Sequence, residues 1–162
     1  MPAKGYVTVY QPTDDCFEGE TIGSARITSG SNRPIVAIVN QQNSTGSHQS
    51  YSALLGGATT LDAPLFVHDV DDWNSSLQVQ NMEVVEADIE RDYYRTDGDP
   101  ASGGGSDTIA GWKSKAYIGG DGTPSGHYYS AVVTSNRQMG GICNTSRSGS
   151  GDVGCSYNMI AR

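Results

Sequence analysis

The chain has 162 residues, of which 17% are charged, with 21 glycines, 9 tyrosines against 2 phenylalanines, and a net charge of −8. That balance argues against a nucleic-acid partner, which needs clustered Lys and Arg, and no apolar run of about 18 residues exists to span a membrane. Abundant Gly, Ser, Thr and Asn predict short strands joined by polar turns, as in sandwiches and barrels.

In chain order, Met1-Pro2-Ala3-Lys4 is followed by no apolar stretch of the kind a signal peptide carries. Residues 6–10 (YVTVY) predict a strand by β-propensity, followed by a turn containing Cys16. Residues 22–28 predict a half-buried strand through Ile22, Ala25 and Ile27, and Gly30 to Arg33 a turn. Residues 34–40 (PIVAIVN) are apolar on both faces and predict a central strand with Pro34 at its start. A polar hairpin loop and a returning strand at 49–55 follow, then a connector over 56–62 and strands at 64–68 and 74–81. Leu77 and Val79 alternate with Gln78 and Gln80 in a period of two. Residues 82–95 fit both a helix face (Met82, Val85, Ile89, Tyr93) and an alternating strand; the Tyr93-Tyr94 end and the all-β surroundings favour the strand. Residues 96–106 (TDGDPASGGGS) predict a flexible loop without packing potential, and further strands are expected near 112–118, 128–134, 138–143 and 155–160.

The first and last thirds repeat one another. Ser24-Ala25 matches Ser130-Ala131 and Thr28-Ser29 matches Thr134-Ser135. After a two-residue deletion, Asn32-Arg33 matches Asn136-Arg137, Ile38 matches Ile142 and Asn40 matches Asn144; Ser50-Tyr51 then matches Ser156-Tyr157. Such a repeat organises the whole fold. It divides the chain into a half-module, 1–54, and a larger unit, 55–162, made of a front half (55–109) and the second copy (110–162). The second copy departs from the first at Met139-Gly140-Gly141, opposite Ile35-Val36-Ala37.

The motifs NRPIVAIVNQ, SYSAL, APLF and DDWNSSLQVQN resemble the repeats of large secreted proteins of filamentous and environmental bacteria, Chloroflexi-type among them. The resemblance covers most of residues 22–81 and, more weakly, 110–160. It implies an all-β fold with an immunoglobulin-like β-sandwich module plus the additional half-module, and an extracellular or cell-surface location. In that family the unit starts at the APL strand and ends after the SYS return, so residues 63–160 would make one module and 1–54 the back half of another.

Three N-x-S/T sequons start at Asn43, Asn74 and Asn144, and they are candidate glycosylation sites. Asn43 is expected in a hairpin loop, with Asn144 beginning its counterpart. Val39 and Gln49 match Cys143 and Cys155, so a facing Val39–Gln49 pair would imply a Cys143–Cys155 disulfide, favoured in an extracellular protein. Cys16 is left over. Asp69, Asp71 and Asp72 resemble part of a calcium loop but lack its glycine and distal glutamate, so a solvated turn is the better reading and no metal is expected. The histidines (His48, His68, His127) have no metal-ligand spacing, and no nucleophile elbow, P-loop or dinucleotide fingerprint occurs, so neither enzyme activity nor a cofactor is expected. Trp73, Trp112 and the tyrosines could form a sugar-stacking platform. The leading expectation is a structural subunit of an extracellular fibre or surface layer, a homopolymer built head-to-tail by strand complementation into a helical filament, with possible covalent glycans. The alternative is a carbohydrate-binding or adhesive module of a larger secreted protein.

Overall fold

The computed structural model describes residues 7–9, 24–30, 34–42, 48–148 and 154–162. Within them ten strands form two antiparallel assemblies. The two-stranded ribbon pairs β1 (Ile38–Gln42) with β2 (His48–Ser52). The eight-stranded sheet holds β3 (Ala58–Val70), β4 (Trp73–Asn81), β5 (Ala87–Arg95), β6 (Gly105–Ile109), β7 (Ser114–Ile118), β8 (His127–Arg147), β9 (Gly154–Asn158) and β10 (Ile160–Ala161). One 3-10 turn, Gly119–Gly122, precedes β8. The chain is all-β, and its large sheet nearly closes into a barrel.

The closure is the work of β8. Its first part lies between β3 and β5, with Ala131 opposite Ala63 on one side and Tyr93 on the other. Its second part lies between β4 and β9, with Cys143 opposite Leu77 and Tyr157. The separate strands expected near 128–134 and 138–143 are instead one strand that changes neighbours around Asn136-Arg137. Side chains serve both strands here: Arg137 N donates to Ser135 Oγ and Gln138 N to Glu83 Oε1, and the Asn136 side chain in turn accepts from Asp88 N of β5. The Arg137 and Gln138 N–H groups thus keep a partner where the strand changes neighbours.

Alternation decides the core. In β5, Ala87, Ile89, Arg91 and Tyr93 point inward and the residues between them outward, so the strand reading of 82–95 holds for 87–95, while residues 82–86 belong to no strand. In β4, Leu77, Val79 and Asn81 are buried. Phe66, Tyr93 and Tyr129 form the aromatic centre, with ring centroids 5.1 Å and 6.5 Å apart. The register of β3 shifts between Ala63 and Phe66, so Leu65 turns outward while Phe66 stays inside. Tyr157 serves that irregularity: its hydroxyl donates to Leu65 O at 2.5 Å and accepts from Leu65 N at 3.3 Å.

Five expectations are corrected. Residues 7–9 and 24–30 form no strand, and Val7, Val9 and Ile27 are exposed. Residues 34–40 are not a central strand: only Ile38 onward is paired, in a ribbon, with alternate residues exposed. The connector over 56–62 belongs mostly to β3. The glycine-rich loop packs closely, since a Cβ at Gly103 would meet Thr123 N at 2.5 Å and one at Gly104 would overlap the Arg91 carbonyl.

Candidate functional site: the duplicated hairpin

The sequence repeat is also a repeat of register. In the first copy Ile38 pairs with Ser52, Val39 with Tyr51, Asn40 with Ser50 and Gln41 with Gln49. In the second, Ile142 pairs with Asn158, Cys143 with Tyr157, Asn144 with Ser156 and Thr145 with Cys155. Every equivalent residue has the equivalent partner. Ser50 Oγ donates to Asn40 Oδ1 at 2.8 Å, and Ser156 Oγ to Asn144 Oδ1 at 2.5 Å. Matching hydrogen-bonding side chains fix both hairpins in one register.

The two copies differ in surroundings. The inner face of the second hairpin, with Cys143 and Thr145, is core. Its outer face is covered by the first hairpin. Gln49 Oε1 lies 2.7 Å from Ser156 Oγ and shares its one proton with Asn144, Gln49 Nε2 donates to Thr145 O at 3.4 Å, and Asn158 Nδ2 donates to Ser52 Oγ at 2.9 Å. Gly140 and Gly141 now have a reason: a Cβ at Gly140 would lie 2.5 Å from Leu54 Cδ1, and one at Gly141 2.6 Å from Met159 Sδ. Side chains press on this strand from both faces, and Ile142 is buried despite pointing outward. The first hairpin turns Val39, Gln41, Gln49 and Tyr51 toward the sheet and leaves Ile38, Asn40 and Ser50 exposed. Val36 and Ile38 are 88% and 75% accessible, and β1 pairs only with β2 among the described residues, so its outer edge is open.

The premise of the expected disulfide is corrected by the same register. Val39 faces Tyr51 rather than Gln49, and Cys143 faces Tyr157 rather than Cys155. The two cysteines are diagonal neighbours, about 7–8 Å apart on a regular ladder, and both thiols are free. Burial pushes the Cys143 thiol upward, and hydrogen bonding from Tyr157 only partly offsets this. Under native conditions iodoacetamide should therefore modify Cys155 and spare Cys143 until the protein is denatured, as peptide mass mapping would record. Cys16 lies outside the described residues.

Among the sequons, Asn43 lies outside the described residues. Asn144 does not begin a loop: it sits within β8 between β4 and β9 and accepts from Ser156. Asn74 is half-buried at the β3–β4 turn, where its Oδ1 accepts from Asp69 N at 3.1 Å. Asp69, Asp71 and Asp72 adopt positive φ in this turn, a conformation Asp tolerates well. No group of three metal-ligating side chains occurs among the described residues. Trp73 and Trp112 sit at opposite ends of β4, roughly 25 Å apart at strand rise, and so share no platform. Trp112 instead lies under the Arg26 guanidinium, 4.1 Å from its ring centroid.

A polar cluster missed by the sequence reading lies beside the core. Arg91, almost fully buried, binds Asp121 at 2.7 Å, approaches Asp107 at 3.6 Å and stacks over Tyr117 at 3.9 Å. Tyr117 is pushed up to about 12 by burial. A hydrogen bond from Lys115 holds the Asp107 carboxyl below its usual 3.8. The depressed folded value means Asp107 adds stability above its ordinary value, and that contribution disappears as pH falls through the folded one. Thermal melts of the native protein and an Asp107→Asn variant should differ at pH 6 and converge toward pH 2.

No family model matches the chain, and no curated protein matches it. Among solved structures, the crystal structure of Thermotoga maritima 1070 is similar with a TM-score of 0.56 at 17% identity, covering 65% of this chain and 96% of that one. The Anabaena sensory rhodopsin transducer gives a TM-score of 0.44 at 18% identity, covering 55% and 97%. The first of these likenesses is one of fold alone.

Proposed function

We propose that the chain is a structural subunit of an extracellular fibre or cell-surface layer, assembling head-to-tail through residues 1–54. One observation carries this reading. In the second copy, residues 130–135 lie between β3 and β5, and Val133 is 1% accessible. The equivalent residues 24–29 belong to no strand, and Ile27, the counterpart of Val133, is 60% accessible. The chain holds two back halves and one front half, and the second copy occupies that front half. The first copy keeps the apolar pattern of a core strand with an open edge at β1, a combination that favours pairing with another molecule. A heterologous contact of this kind generates filaments when it does not close into a ring. The extracellular setting and the covalent glycans at Asn43, Asn74 or Asn144 rest on the motifs and on the resemblance to secreted bacterial repeats.

The test is negative-stain microscopy and sedimentation of the whole chain at high concentration and physiological salt, where the net charge of −8 is screened. Filaments are expected. Ile38→Lys, which places a charge on the exposed face of the edge strand, should abolish them and leave a folded monomer. A native chain that remains monomeric at every concentration, or an Ile38→Lys chain that polymerises undiminished, overturns the proposal.

A further inference from the structure

We infer that the β1–β2 hairpin is a detachable cap that also docks in trans, covering the outer face of β8–β9 on a second copy of this chain. The inference rests on the fibre reading for its purpose and adds to the open edge at β1 a second contact between copies. Three features of the contact support it.

The acceptor is shaped for the donor. Gly140 leaves room for Leu54, and a Cβ at Gly154 would overlap Gln49 Nε2. Between them, Ser156 and Asn158 hydrogen-bond to Gln49 and Ser52. The attachment is made by side chains and caps, with no strand ladder between β2 and β9. Detaching the hairpin therefore breaks few backbone hydrogen bonds and leaves its own β1–β2 ladder intact. Finally, the connection is short and open. Ala53 N still bonds to Ala37 O within the hairpin, and Gly57 already lies against the sheet, where a Cβ would stand 3.1 Å from Gln138 Cβ and Met139 N. Leu54, Leu55 and Gly56 lie between; Leu54 belongs to the contact with Gly140, the other two are exposed, and nothing stands within 4 Å of a Cβ built at Gly56. An identical contact made within one chain or between two differs chiefly in this connector, and that makes exchange a low-cost route to assembly. Each molecule donates one hairpin and accepts one, so the exchange propagates head-to-tail.

The experiment uses Ser52→Cys and Asn158→Cys, whose positions are joined by a 2.9 Å hydrogen bond. Both are placed in a Cys16→Ser, Cys155→Ser background that keeps the buried Cys143. The two single variants are mixed, concentrated and mildly oxidised. A disulfide-linked heterodimer joined at 52–158, identified by peptide mass, is expected. The double variant should close within one chain when dilute and give a ladder of multimers when concentrated. A mixture without the 52–158 link, or with 52–52 links alone, overturns the inference, as does a double variant that closes only within single chains. The pair Gln49→Cys and Ser156→Cys, whose native side chains are 2.7 Å apart, repeats the measurement should Asn158→Cys fold poorly. Filaments of the native chain without the trans link would refute this inference and leave the fibre proposal standing. The trans link without filaments would do the reverse.

Discussion

Replacing Phe66 with alanine should lower the unfolding free energy by about 3–5 kcal/mol, seen as a lower urea midpoint at unchanged slope. Phe66 is fully buried, and its ring lies 5.1 Å from that of Tyr93. It sits where β3 turns against β8 after the register shift that follows Ala63. Removing the ring opens a cavity between elements that cannot collapse, because Tyr93 and Tyr129 are held by their own strands. Small domains are stable by about 5–15 kcal/mol in total, so the loss takes a large share. Leu65→Ala is the control. Leu65 is 47% accessible, and its backbone, rather than its side chain, is what Tyr157 engages. A near-neutral result there, beside a large one at Phe66, would establish the bulge register. Equal losses would mean that the strand runs regularly through Pro64 and that both residues share the core.

What the sequence disclosed, and what it hid, follows from where the information lies. Strand β5 was legible because Ala87, Ile89 and Tyr93 alternate with Asp88, Glu90 and Asp92, a period that local residues alone express. The duplicated hairpin was legible too, since two matched runs predict one register. Its exact pairing was not. The expectation that Val39 faces Gln49 misjudged the ladder by two residues, and the Cys143–Cys155 pairing lost that premise. The fate of residues 24–30 was hidden for a deeper reason. Ala25 and Ile27 carry the same pattern as Ala131 and Val133, but a strand exists only where neighbours accept its backbone, and β3 and β5 accept only the second copy. The Arg91 cluster was equally invisible. An arginine flanked by acidic residues on an alternating strand reads as a solvated charge, and only the fold brings Asp121 and Tyr117 onto it. Tertiary partners, rather than propensity, decide such cases.

Gly104→Ala is expected to destabilise the protein by about 2–5 kcal/mol, combining the strain of a left-handed alanine with overpacking. Gly104 adopts φ +81, and a Cβ there would overlap the Arg91 carbonyl oxygen and stand 3.3 Å from Tyr93 Cδ2. Neither neighbour can give way cheaply. The Arg91 backbone is fixed by pairing with Gly105 and Val133, and its guanidinium is tied to Asp121. The Tyr93 ring is packed in the aromatic centre. Gly98→Ala separates the two contributions. Gly98 has φ +89, so its backbone penalty is similar, yet nothing lies within 4 Å of its Cβ position. It should cost about 1–2 kcal/mol from backbone strain alone. The difference between the two variants, measured by chemical denaturation, isolates the closeness of the β5–β6 loop to the Arg91 cluster. Equal costs would show that the loop stands away from Arg91, and the cluster would then lose the wall that shields it from water.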